Sequence, residues 1–275
     1  MNEVKYRRPL NKQQIRTLHL LYWYRFCTSR QLARSFDKNS PKSIQSKLQI
    51  LEVQELIGKR YNKSYRLAGR SAEYFITPKG ARALEKANPN STNAWVTKSL
   101  YKNKTVSDDF LKHCITVTET AQRLRAIYGD SKKLHILSKG FMAQLNYYPS
   151  WTPDLHIEVP GKGEAPTKHY FLDIWDGTKP FFVSVRKTRN YVSFKDSGGW
   201  QEDELYPAIL AICEDEQTQK KLNRQMKRIL DEAWDDELVF ATTTGLKIEK
   251  AARASEKIWY QVEEEESVAL GILVK

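Results

Sequence analysis

Between Ser40 and Leu51 polar and apolar residues recur at helical spacing, and the polar ones are the first with evident chemistry. Ile44, Leu48 and Leu51 fall on one stripe, which leaves Lys42, Ser43, Gln45, Ser46, Lys47 and Gln49 on the other side. Such side chains hydrogen-bond phosphates and base edges. A basic group follows, Lys59, Arg60, Lys63, Arg66 and Arg70, interleaved with Tyr61 and Tyr65. Further on, Pro153-Asp154 and Asp173-Ile174-Trp175 place two carboxylates nineteen residues apart. Tyr191 stands near Arg186, Lys187 and Arg189, a phenol placed among cations that could attack a phosphate and stay attached to it. Other chemistries are missing. His19, His113, His135, His156 and His169 are isolated, without a His-x-His pair. His113, near the start of a helix, reads as a packed or capping residue. Cys27, Cys114 and Cys213 are odd in number and scattered, which fits buried, reduced thiols and no zinc knuckle. No glycine-rich phosphate loop is present, which argues against an ATPase or dinucleotide enzyme.

The elements that must position the first group are short. Residues 12–26 carry Ile15, Leu18, Tyr22 and Phe26 on one helical stripe. Thr28 or Ser29 caps a second helix, with Leu32, Ala33 and Phe36 facing inward. After a turn over 37–40, Ser40 caps a third helix with Pro41 at its first position. Two short strands, in Leu56–Tyr61 and Ser71–Thr77, hold the basic loop between them as a wing. The close, Tyr74-Phe-Ile-Thr-Pro-Lys-Gly-Ala-Arg-Ala-Leu84, resembles the ending of many bacterial winged-helix domains. There the threonine caps a last helix and the glycine lets that helix pack closely on the wing. Residues 1–87 are therefore expected to form a winged helix-turn-helix.

Charge follows the same division. The chain of 275 residues carries a net charge of +12. Residues 1–104 hold 22 Lys+Arg against 6 Asp+Glu, and the remainder holds 23 against 27. A basic first part joined to a near-neutral second part implies a polyanionic partner for the first. The N-terminus shows no signal peptide and no apolar run is long enough to span a bilayer, so the expectation is a cytoplasmic protein with no membrane partner.

Asn88-Pro-Asn-Ser-Thr-Asn93 opens an expected linker over 88–107, with Trp95 and Tyr101 as docking residues. Residues 108–275 read as a mixed α/β domain. A helix runs from Asp108 to Tyr128, and strands are expected over 134–143, 155–159 and 169–175. A helix over 179–194, a strand over 206–213, a helix over 216–234 and a strand over 238–243 complete the pattern. The glutamates at 263–266 read as a solvated face or tail.

That order resembles the restriction-endonuclease-like fold, giving an α+β, two-domain chain. The resemblance implies that Asp154 and Asp173 hold Mg²⁺ or Mn²⁺ if the domain is active, with a lysine assisting the nucleophile. Strand alternation puts Trp175 in the lysine slot, where it supplies neither charge nor ligand. Lys179 and Lys187 on the next helix are the substitutes, Lys187 being the candidate catalytic lysine. Catalysis is left open, and no other cofactor is implied.

Over residues 10–245 the chain resembles the replication-relaxation family of plasmid and mobile-element proteins. The residues that carry this are the Tyr-Phe-Ile-Thr-Pro-Lys-Gly close, the helix with His113, and Pro153-Asp154. Phe171-Leu-Asp-Ile-Trp-Asp-Gly-Thr178, followed by Arg186, Lys187 and Tyr191, matches a family block. Asp173 stands where the family tends to have glutamate and Trp175 where it tends to have aspartate. The resemblance implies binding of double-stranded DNA in plasmid replication or in relaxation of DNA for transfer. A homodimer and replication or transfer proteins are the further partners. The alternatives are a metal-dependent nicking endonuclease, nicking through Tyr191, and a winged-helix transcription regulator.

Overall fold

The computed structural model describes residues 9–273 apart from 62, 130–133, 162, 164, 202–203 and 236. Two compact units divide between Glu119 and Thr120.

In the first unit α1 (Lys12–Tyr24) starts at a capping box, in which Asn11 and Gln14 each accept the other's backbone N–H. The helix was expected to reach Phe26 but ends at Tyr24, because Arg25 takes a left-handed backbone (φ 71°). Phe26 instead opens an unforeseen strand, β1 (Phe26–Thr28). Thr28 caps α2 (Ser29–Arg34) through a second capping box with Gln31. The helix α3 (Lys42–Val53) begins one residue after Pro41, and Ser40 Oγ accepts from the Lys42 N–H at 3.3 Å. Then come β2 (Ile57–Arg60), α4 (Lys63–Leu67), β3 (Glu73–Ile76) and α5 (Pro78–Ala87). The strands form an antiparallel sheet in the order β1-β3-β2. Up to α5 the elements of this unit thus run helix, strand, two helices, strand, helix, strand, helix. The expected basic loop is partly helical as α4, anchored by the buried Tyr65, whose hydroxyl donates to Glu73 Oε2 at 3.0 Å.

The α5 end of this unit is tight. Thr77 Oγ1 accepts from the Gly80 N–H at 3.0 Å, and a Cβ on Gly80 would lie 2.0 Å from the Leu56 carbonyl oxygen. Gly80→Ala is therefore expected to lower unfolding free energy by about 1–3 kcal/mol, the cost of overpacking. Urea denaturation measures it, and an unchanged midpoint would contradict the close approach.

Residues 88–107, expected as a linker, fold instead as α6 (Ala94–Ser99) and a 3-10 turn (Leu100–Lys104) within the first unit. The cause is burial: Val96 and Leu100 are core residues, and Asn103 is fully buried. Arg25 Nε donates to Asn103 Oδ1 at 3.0 Å, and the Asn93 N–H donates to the Tyr22 hydroxyl at 2.6 Å. The side chain of Trp95 lies outside the described residues. The division falls inside α7 (Asp108–Tyr128), which has the expected bounds.

In the second unit a seven-stranded mixed sheet has the order β10-β9-β8-β7-β6-β5-β4. Its strands are β4 (His135–Ser138), β5 (Leu155–Val159), β6 (Lys168–Trp175), β7 (Ala208–Cys213), β8 (Phe240–Thr244), β9 (Trp259–Gln261) and β10 (Glu266–Val268). The pairs β6–β7 and β7–β8 are parallel and the others antiparallel. The connecting helices α9 (Phe181–Asp196) and α10 (Glu216–Ala233) pack on a core of Phe171, Tyr191, Ile209, Leu222, Met226 and Phe240. The strand expected over 134–143 stops at Ser138. There the chain enters α8 (Lys139–Met142), which turns Met142 fully into the core. A last helix, α11 (Gly245–Lys250), leads to β9 and β10, which were not foreseen. The glutamates at 263–266 are exposed around the turn joining these two strands, not in a tail. Among the described residues no helix is long and apolar enough to cross a membrane.

Candidate functional site

On α3 the division of faces is as expected. Ile44, Leu48 and Leu51 are buried, while Lys42, Ser43, Gln45, Ser46 and Gln49 are exposed and Lys47 is half-buried. Lys47 Nζ hydrogen-bonds Gln13 Oε1, and Ser43 Oγ donates to the Ser40 carbonyl at 2.7 Å. The basic residues of β2 to β3 divide further. Lys59 is exposed, its ammonium 5.5 Å from the Tyr61 ring. Arg60 donates to the Val106 carbonyl and to Asp108 Oδ1, each at 2.8 Å. Arg70 stacks on Tyr65 at 4.2 Å and pairs with Glu73 at 2.9 Å. Arg60 and Arg70 are thus held by internal partners, whereas Lys59 is turned outward. The side chains of Lys63 and Arg66 lie outside the described residues.

In the second unit the two carboxylates and Lys187 meet. The antiparallel β5–β6 register places Leu155 opposite Leu172, which brings Asp154 beside Asp173. The Asp154 N–H donates to Asp173 Oδ1 at 3.2 Å, and Asp154 Oδ2 accepts from the Ile174 N–H at 3.0 Å. Lys187, one turn before Tyr191 on α9, pairs with Asp173 Oδ1 and donates to the Thr152 carbonyl at 3.3 Å. Lys179 does not join them; it is exposed and lines a cleft of about 270 Å³ with Glu214, Thr218 and Lys221. Lys139 on α8 was not singled out in the sequence. The protein packed round its ammonium pushes its pKa down, partly opposed by Asp154 and Asp173, although the residue as a whole is exposed.

A catalytic Mg²⁺ needs carboxylate oxygens turned to a common open position. Asp173 is largely engaged: Oδ1 takes Lys187 and the Asp154 N–H, and Oδ2 takes the Tyr191 hydroxyl at 2.8 Å. Asp173 itself is only 2% exposed. The residues present do not fit that ion in this arrangement. Tyr191 is equally ill placed as a nucleophile, being buried in the core with its pKa pushed well above the usual phenol value, by burial first and by Asp173 second. Its role here is to donate to Asp173. Tyr191→Phe is expected to cost about 1.5–3 kcal/mol, the range for a hydrogen bond to a charged group. Urea denaturation reads that loss, and a change below the error of the fit would contradict the bond.

A second polar cluster lies on the same sheet face and was missed. His156 and Glu158 alternate along β5, and the register sets Glu158 opposite His169 on β6. His156 Nε2 and His169 Nδ1 are 3.0 Å apart, His169 Nε2 is 3.2 Å from Glu204 Oε2, and Tyr148 Oη is 2.5 Å from His156 Nδ1. Both histidines are buried, and burial pushes the His156 pKa well below the usual imidazole value. The His-x-Glu alternation is visible in the sequence; its pairing with a histidine thirteen residues on depends on the hairpin register.

Among curated proteins none matches the chain. Two solved mutant forms of ZitR from Lactococcus lactis are similar to part of the chain. One is 19% identical over 41% of this chain and 73% of that chain, with a TM-score of 0.26. The other is 21% identical over 41% and 70%, with a TM-score of 0.25. The family model described as replication-relaxation matches residues 18–209, which include α3, Asp154, Asp173, Lys187, His156 and His169. With more than half of its length matched, the chain belongs to the replication-relaxation family.

Proposed function

We propose that this chain is a double-stranded DNA-binding protein acting in replication, or in relaxation of DNA for transfer, of a bacterial mobile element. Its first unit is a winged helix-turn-helix whose α3 enters the major groove while the outward-turned Lys59 on β2 meets phosphate. The second unit is a restriction-endonuclease-like domain that keeps the shape of a nuclease without the chemistry. The observation carrying the binding reading is the exposed polar and basic face of α3, set directly opposite its buried Ile44–Leu48–Leu51 stripe. Family membership supports the replication role. A second copy of the chain and replication or transfer proteins are the partners this role implies.

Fluorescence anisotropy with duplexes from the DNA flanking its own gene tests the reading. Affinity should fall steeply with salt, and Lys59→Ala should reduce the log–log slope by about one, as loss of one phosphate contact does. No binding to any such duplex at low salt would sink it.

One observation favours a second reading, metal-dependent nicking. Lys187 arrives from α9 beside Asp173, supplying the lysine that Trp175 does not. That reading requires the Lys187–Asp173 pair to open and admit the ion.

A further inference from the structure

We propose that His156, His169 and Glu158 form a zinc-binding site in the second unit, independent of the DNA-binding reading and separate from Asp154 and Asp173. One nitrogen or oxygen from each of the three residues lies within 4.8 Å of the others. Two histidines and a carboxylate suit Zn²⁺, which takes such ligands at about 2.0–2.2 Å and keeps a fourth position for water. Two ligands at that distance from one ion stand roughly 3 Å apart, which is the separation His156 Nε2 and His169 Nδ1 already have (3.0 Å). A pair of neutral imidazoles facing nitrogen to nitrogen shares one proton; when the ion binds, His156 shifts to its Nδ1–H tautomer, donating to Tyr148 Oη, and its Nε2 lone pair goes to the ion.

The surroundings are those of a ligand set held in place. Glu204 accepts from the far side of the His169 ring, leaving Nδ1 with its lone pair toward His156. A carboxylate behind a ligating histidine fixes its tautomer and raises its basicity. Glu158, the third ligand, has its Oε2 3.4 Å from His135 Nδ1 and its Oε1 3.9 Å from His156 Nδ1. Phe171 and Trp200 pack against the two imidazoles and close the inner side. Glu158 and Glu204, with side chains 24% and 37% exposed, form the rim through which an ion enters. His156 lies two residues from Asp154 along one strand face, so the two groups are neighbours without shared ligands.

The test uses the full chain stripped with a chelator and titrated with Zn²⁺ by calorimetry, with bound metal counted by mass spectrometry. Wild type is expected to take up a single equivalent, and Asp154→Asn to take up the same. His169→Gln should abolish uptake, and Glu204→Gln should weaken it about tenfold, as removal of an orienting partner does. Glu158→Gln alters a rim side chain and keeps the test decisive if the histidine variants fail to fold; it should weaken binding more than Glu204→Gln. No zinc uptake by wild type, or full uptake by Glu158→Gln, would overturn the site.

Discussion

Replacing Lys42, Gln45 and Gln49 together by alanine is expected to weaken binding to the cognate duplex by about 100-fold or more. Each good base-edge contact contributes roughly 1–3 kcal/mol, and three such groups leave the same helix face. The three side chains are exposed, and Gln45 Nε2 lies 3.5 Å from the Tyr74 hydroxyl. Stability should therefore stay within about 0.5 kcal/mol, as for other surface changes. Anisotropy and thermal unfolding on one preparation separate the two effects. Unchanged affinity in the triple variant would remove α3 from the interface, whatever the rest of the chain does.

Asp173→Ala is expected to produce the opposite pattern, a large loss of stability with DNA binding by the first unit retained. The substitution strips the partner from Lys187, from the Tyr191 hydroxyl and from the Asp154 N–H at once. Breaking a buried pair by removing one partner costs about 3–5 kcal/mol, because the remaining charge is left uncompensated. The Lys187 side chain is 15% exposed and can gain some solvent, which places the expected value near the lower end, about 3 kcal/mol. Adding Lys187→Met should return part of that loss, since the stranded ammonium is then gone. Denaturant unfolding of the single and double variants checks both statements. A loss below about 1 kcal/mol for Asp173→Ala would mean that the carboxylate is not a structural anchor and would reopen its catalytic reading.

These two groups differ in how legible they were. The α3 face follows from helical periodicity alone, and the stripe Ile44, Leu48, Leu51 is buried as its spacing implies. Asp154 and Asp173 were legible as a pair because the strand that follows Pro153 and the strand through Asp173 have strong β patterns. Lys187 was the candidate chosen over Lys179, but its approach to Asp173 was not legible. It depends on where α9 begins, and the helix starts at Phe181, so Lys179 precedes it and Lys187 projects from its second turn. The fate of Arg60 and Arg70 was hidden for another reason. Their partners, Asp108 and Glu73, are set by tertiary packing and by the strand register, not by helical spacing. Short elements escaped as well. β1 has three residues and depends on a left-handed Arg25, while β9 and β10 pair across a turn of glutamates that composition marks as solvent. The buried histidines were the largest omission, since only the β5–β6 register brings His156 and His169 together.

The protein is expected to bind DNA through its first unit and not to cut it through its second. Supercoiled DNA carrying the neighbourhood of its own gene, incubated with the protein with and without Mg²⁺ or Mn²⁺ and run on a gel before and after protease, tests this most directly. Retarded DNA that returns to the supercoiled position once the protein is digested is the expected result, with either metal present. Metal-dependent nicked circles that disappear in Asp154→Ala and Asp173→Ala would contradict it and establish a working nuclease around Lys187.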